Sequence, residues 1–164
     1  MPLIGLISDT HGSMHTSVPD FFSGCDEIWH AGDIGNMATA EALQKLKPLR
    51  AVHGNIDGQE LRLLFPPELR FTVGGVSVYM THIGGYPGRY EKHVREILAL
   101  EHPRLFISGH SHILKIMNDE RFGLLHINPG AAGNSGMHQV ITAVRFRVDE
   151  GRISDLDILE IKRG

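Results

Sequence analysis

The sequence has a single cysteine, Cys25, and no second thiol for it to pair with. That excludes an internal disulfide, fits a reducing compartment, and leaves any bound metal to nitrogen and oxygen donors. Also missing are a window of eighteen apolar residues and a basic-then-apolar leader, so membrane insertion and export are not expected and the expected location is cytoplasmic. Charge of one sign is scarce, and a net charge of −3 gives no basic footprint for a nucleic-acid polymer. No repeat, low-complexity tract or linker breaks the chain. The 164 residues, 41% hydrophobic and 21% charged, read as one domain over 1–164, large enough for a sizeable core. Histidine is abundant, with eleven copies, several beside glycine or aspartate where turns carry function.

The stretch Leu3-Ile4-Gly5-Leu6-Ile7 is apolar without alternation, as in a strand covered on both faces, and it stops abruptly at Ser8-Asp9-Thr10-His11-Gly12. In an extended tip, Asp9 and His11 would leave the same side of the backbone. A short helix is expected within Ser13 to Ser23. A strand within Asp26 to Asp33 follows, ending in Gly32-Asp33. Ala38, Ala42, Leu43 and Leu46 fall at helical spacing behind Asn36, which predicts an amphipathic helix over Met37 to Lys47. Leu49 to Val52 is a third strand, running into His53-Gly54-Asn55-Ile56-Asp57-Gly58. This alternation predicts a parallel, helix-covered sheet in the first half.

The second half changes character. Gly74-Gly75 between Leu69–Val73 and Val76–Thr81 predicts a two-residue hairpin, and its second arm ends at His82. A helix from about Tyr90 to Leu100 and a buried strand Leu105 to Ser108 come next, the latter delivering Gly109-His110-Ser111-His112. Leu114 to Asn118, Leu124 to Asn128, Gln139 to Arg147 and Ile153 to Leu159 read as short strands of a second sheet packed on the first. Asn128-Pro129-Gly130 reads as a tight turn between two of them.

The strand tips together hold Asp9, His11, Asp33, Asn55, His82, His110 and His112, a mixed nitrogen and oxygen set that suits manganese, iron, zinc or nickel better than calcium or magnesium. The order D-x-H, G-D, G-N, a lone His after a strand, then G-H-x-H resembles the calcineurin-like metallophosphoesterase family, and within it the compact single-domain phosphodiesterases. The resemblance covers almost the whole chain. It implies an α/β (α+β) fold, a four-layer α-β-β-α sandwich with the metals at its edge. It implies two divalent transition-metal ions, manganese first among them: Asp9, His11 and His112 on one, Asn55, His82 and His110 on the other, Asp33 bridging. A catalytic part for Asp33, Asn55 and His82 goes with it, as does in-line attack by a metal-bridging hydroxide on a small-molecule phosphoester. The family pattern continues G-N-H with a histidine that protonates the leaving oxygen. Here Ile56 stands in that place, and His53 is the nearest substitute in sequence.

Outside these motifs, His15, His93 and His102 read as solvated surface residues, and His30 and His126 as core residues able to orient a ligand. His138 is a candidate for the rim of the pocket. Tyr86 and Arg89 could touch substrate but stay outside the catalytic set, and Glu91, Lys92, Arg95 and Glu96 make an ordinary solvated helix face. A phosphomonoesterase would use the same ligands. A retromer coat subunit resembles this fold as a binding platform with a degraded metal site, which the complete ligand set here argues against. Exposed apolar residues of the second half would admit a homodimer.

Overall fold

The computed structural model describes residues 2–163. Two five-stranded sheets form its centre. In the first the order is β10 (Arg152–Lys162), β9 (Val140–Asp149), β1 (Leu3–Ile7), β2 (Glu27–His30), β3 (Leu49–Ala51); in the second it is β4 (Glu68–Val73), β5 (Val76–Thr81), β6 (Leu105–Ile107), β8 (Leu124–Pro129), β7 (Leu114–Asp119). β1, β2 and β3 run parallel, whereas β9 and β10 are antiparallel additions to the same sheet. The predicted division by halves therefore fails for the last two strands. They are 10 and 11 residues long, and β9 supplies the outer neighbour that β1 needs for its unpaired backbone groups.

The uninterrupted apolar run of β1 follows from this position. Ile4 and Leu6 face the second sheet, in a core shared with Trp29, Val78, Met80, Ile107, Val144 and Phe146. Ile7 faces the other way, toward Val18, Phe22 and Leu43 of the helical layer. On that face Gly5 has no room for a side chain, because a Cβ there would lie 2.7 Å from the Phe22 ring. Helices α1 (Ser17–Phe21) and α2 (Met37–Leu46) cover the first sheet, and α4 (Lys92–Glu101) covers the second through Val94 and Leu98 against Tyr79 and Phe106. The result is the expected α-β-β-α sandwich. Among the described residues no helix is long and apolar enough to cross a membrane.

Local signals hold in most places. Asn36 caps α2, accepting from the Thr39 N–H at 2.8 Å. Gly74 and Gly75 both take positive φ, 57° and 78°, as a two-residue hairpin turn with the strand twist demands. Two expectations need correction. Asn128 and Pro129 are not a turn: they close β8, paired with Lys115 and Leu114, and Gly130 begins the loop that leads to β9. Helix α3 (Gln59–Leu64) was not foreseen, since it is a single short turn-and-a-half that buries only Leu61.

Two imidazoles lie fully inside this architecture. Burial pushes His30 down to about 3, helped by the neighbouring charge of His82, and pushes His126 down to about 4. His126 donates from Nδ1 to the Phe106 carbonyl at 3.2 Å and stacks on the Phe106 ring. Both are neutral when folded and protonate near pH 6.5 when unfolded, so the unfolded state binds more protons. Stability is complete above about pH 6.5 and is lost on acidification toward the folded values, at ~1.4 kcal/mol per pH unit for each group. Replacing His126 by Phe should flatten the slope of unfolding free energy between pH 6 and pH 5 by that one-proton increment, measured by urea titration beside the parent protein. An unchanged slope would contradict the assignment.

Candidate metal centre

Five of the seven side chains singled out in the sequence sit on residues in the left-handed region: Asp9 (φ 52°), His11 (49°), Asp33 (58°), His110 (74°) and His112 (65°). None is glycine, and such conformations at non-glycine residues cost about 1–3 kcal/mol each unless the surroundings enforce them. The extended tip expected at Asp9 and His11 is thus replaced by a tight, alternating turn. Backbone bonds hold that turn against the tip of β2: Asp9 N–H to the Gly32 carbonyl at 3.0 Å, His11 N–H to Asp33 at 3.0 Å and Gly12 N–H to Ile34 at 2.8 Å.

The two aspartates are buried, and each has one oxygen pinned and the other left to the cluster. Asp9 Oδ2 accepts from the Ser8 hydroxyl at 2.6 Å and the His110 N–H at 3.1 Å, whereas its Oδ1 has no hydrogen-bond partner. Asp33 Oδ1 accepts from the Ile56 N–H at 3.0 Å, which turns Oδ2 toward His11 Nε2 at 3.4 Å and His82 Nε2 at 3.1 Å. Asp9 Oδ1 lies 3.5 Å from His11 Nε2 and 3.3 Å from His112 Nε2. Two groups emerge, Asp9-His11-His112 and Asp33-His82-His110, with the donor atoms of each group within 4.8 Å of one another. Asn55 Oδ1 joins the second, 3.0 Å from His110 Nδ1.

This donor set fits divalent cations. Metal bonds of about 2.1 Å give donor–donor edges of roughly 3.0 to 3.4 Å in octahedral and tetrahedral shells, close to the 3.1 to 3.5 Å that separate these carboxylate oxygens from the imidazole nitrogens. The buried Asp9 Oδ1, His11 Nε2 and His82 Nε2 have no other partner, and a buried carboxylate oxygen without one is costly. His82 donates from Nδ1 to the Ala31 carbonyl at 2.8 Å, so its Nε2 lone pair is the one that faces the carboxylates. Burial opposes the charged form of His82, but Asp33 and Asp9 outweigh it and raise its pKa; for Asp33 the opposition of burial is likewise overcome by His82 and the Ile56 N–H, and its pKa is lowered. Burial holds His112 below its ordinary value, with His11 and His138 adding to the effect against Asp9.

The remaining side chains at the site are supports that the motif reading passed over. Asp57 is buried and accepts from the N–H groups of Ile34 (3.2 Å), Gly35 (2.9 Å) and Gly54 (2.8 Å), tying the loop of Asp33 to that of Asn55. Arg62, on α3, donates to the carbonyls of Asp57 (2.6 Å), Gly54 (3.3 Å) and Asn55 (3.3 Å). Asn128 donates to the Gly109 carbonyl and the Ser111 hydroxyl, bracing the His110–His112 turn. Gly54 and Gly109 are required by close approach: a Cβ would lie 2.1 Å from Asp33 Oδ1 in one case and 2.2 Å from Ser8 Oγ in the other. The G-N and G-H dipeptides could have signalled such contacts. Asp57 and Arg62 carried no such signal, because their partners are backbone groups, which no residue pattern marks.

Each further histidine has a distinct place. His30 accepts from the Gly32 N–H and donates from Nε2 to Thr10 Oγ1 at 3.0 Å, and Thr10 donates in turn to the Ile34 carbonyl at 2.8 Å. It therefore joins the tips of β1 and β2. His53 is not a free substitute acid: Nδ1 donates to the Phe65 carbonyl at 2.9 Å and Nε2 faces Arg62 at 3.5 Å. His138 is buried against His112, ring centres 5.2 Å apart, and bonded to the Gly133 carbonyl. His93 and His102 are exposed as expected, whereas His15 is half-buried and accepts the Ser17 N–H.

Comparison with known proteins agrees with this geometry. The chain is 31% identical over 134 residues to a probable metallophosphoesterase of Methanothermobacter thermautotrophicus, covering 79% of this chain and 76% of that protein. A probable metallophosphoesterase of Methanocaldococcus jannaschii is 30% identical over 135 residues, 79% of this chain and 67% of its relative. Among solved structures, Vps29 from Entamoeba histolytica complexed with zinc has a TM-score of 0.76 at 14% identity over 99% of both chains. An archaeal phosphodiesterase has a TM-score of 0.72 at 18% identity over 96% of this chain and 99% of that one. These structural likenesses speak for the fold. Matched over residues 3–151 by the calcineurin-like phosphoesterase superfamily domain, the chain belongs to that superfamily.

Proposed function

We propose that the protein is a phosphodiesterase for small phosphodiesters that holds two divalent transition-metal ions, manganese foremost. The observation that carries this reading is the pair of buried aspartates, each with one oxygen fixed by the protein and the other directed at imidazole nitrogens. Asp9, His11 and His112 would hold one ion, and Asn55, His82 and His110 the other, with Asp33 Oδ2 placed between His11 and His82 so that it could serve both. Ions so placed acidify a water to near-neutral pKa and offset phosphoryl charge during in-line displacement.

The rest is positioning by the chain itself. Ser8, the His110 N–H and the Ile56 N–H keep the carboxylates from rotating, the Ala31 carbonyl fixes the His82 tautomer, and Asp57 holds the two loops in register. Preorganised donors of this kind need no rearrangement at the moment of reaction. No imidazole follows Asn55, and His53 is already engaged, so the departing oxygen receives no proton from these positions. Leaving groups that are stable as anions are favoured. A scaffold role is the second reading, supported by the likeness to Vps29 over essentially the full length of both chains. The archaeal phosphodiesterase of the same fold supports the first.

Two experiments test the proposal. Protein loaded with manganese should carry about two ions per chain by elemental analysis and hydrolyse bis(p-nitrophenyl) phosphate. Asp33→Asn should lower the metal content and reduce kcat/KM about a thousandfold or more; no metal uptake and no hydrolysis by the parent protein would favour the scaffold. The second concerns Ile56, whose exposed side chain can be changed while its N–H stays on Asp33. Ile56→His should raise turnover on diesters with poor alkoxide leaving groups by up to about a hundredfold and leave activated aryl esters little changed. An absence of gain across an alkyl ester series would count against the missing-acid account.

A further inference from the structure

Three of the candidate ligands, Asn55, His82 and His112, are each followed by an isoleucine that the fold leaves in solvent. Ile56 follows Asn55, Ile83 follows His82, and Ile113 follows His112 in the turn that begins at His110; they are 46%, 43% and 64% exposed. Tyr86 is 39% exposed in the loop after Ile83. Isolated exposed apolar residues are ordinary, but these four are linked in a closed circuit. Ile56 bonds through its N–H to Asp33 Oδ1, and Asp33 Oδ2 meets His82, the neighbour of Ile83. Three residues on, the Tyr86 ring lies 4.2 Å from Lys115 Nζ, which brings that loop onto the segment beginning at Ile113. From there the chain returns through His112 to His110, whose Nδ1 meets Asn55 Oδ1, beside Ile56. The circuit runs through Asp33, His82 and His110.

The first group is closed off differently. The loop between β8 and β9 packs onto His112, such that a Cβ on Gly136 would lie 3.1 Å from its ring, and it is tied down by Asn134 N–H to Ser13 Oγ and by Arg163 to the Gly136 and His138 carbonyls. An apolar rim on one side and a polar, tethered wall on the other give the site a direction.

We propose that the rim binds an aromatic substituent of the phosphodiester, lying on Tyr86 and against Ile83, Ile113 and Ile56 while the phosphoryl group sits at the carboxylate–imidazole cluster. This deepens the phosphodiesterase reading and rests on it. Lys115, seated on the Tyr86 ring, holds that ring in place, and flat aromatic groups gain the most from such a shallow apolar surface. The isoleucines offer no proton, so an aryl or heteroaryl oxide, stable as an anion, is the compatible group to leave across them.

The test is a calorimetric titration of the manganese-loaded protein with diphenyl phosphate and with dimethyl phosphate, which differ in the substituent alone. Diphenyl phosphate should bind about tenfold or more tightly. Tyr86→Ser and the double variant Ile83→Asn/Ile113→Asn, all at exposed positions, should shrink the ratio below about threefold at unchanged manganese content and melting temperature. Affinities within threefold in the parent protein, or a preference that survives both variants, overturn the assignment and leave the rim to a macromolecular partner. A clear aromatic preference without hydrolysis of bis(p-nitrophenyl) phosphate would uphold the rim and sink the phosphodiesterase reading, so the two failures are told apart.

Discussion

The structure depends on two carboxylates placed inside the protein against imidazole nitrogens. A buried carboxylate is unfavourable in a low-dielectric setting unless it is hydrogen-bonded or faces positive charge. Asp9 and Asp33 meet this condition by halves: one oxygen of each accepts from protein donors and the other faces imidazole nitrogens. The left-handed backbone at five of the candidate ligands is part of the same arrangement, since it turns the chain sharply at the strand tips and holds the ligands in tight loops.

The architecture absorbs that strain. β1 and β2 lie side by side in the middle of the first sheet, with fully buried Ile4, Leu6 and Trp29 beneath them, and their tips are joined by three backbone bonds and the His30–Thr10 link. The second sheet contributes His82 and the His110–His112 turn, coupled through the Gly109 N–H to the His82 carbonyl at 2.9 Å. Because both sheets share one core, the half-sites are fixed relative to each other by packing that contains no ligand residue. Membership of the calcineurin-like phosphoesterase superfamily accords with this frame.

Strand ends and glycine punctuation were readable along the sequence because each depends on neighbours within a few residues. Hydrophobic runs marked β1, β5 and β6, the Gly74-Gly75 pair marked the hairpin, and the seven residues at the strand tips come together in space. The placement of β9 and β10 was not readable, since an alternating strand can satisfy either sheet and only the unpaired flank of β1 decides between them. Helix α3 is too short to show a period. The polar supports were hidden for the same reason: Asp57 serves N–H groups some twenty residues away, and Arg62 serves carbonyls rather than a charged partner.

By itself the sequence determined which residue types could meet a metal, that they sit at the ends of buried strands, and that no thiol takes part. It did so because ligand identity and strand burial are local properties of composition and pattern. Only the tertiary structure decided which oxygen of each aspartate faces the imidazoles, that His53 is engaged, and that Tyr86 meets Lys115. Those facts depend on contacts between segments far apart in the chain, and no local pattern encodes the direction in which a distant hydrogen bond will turn a side chain.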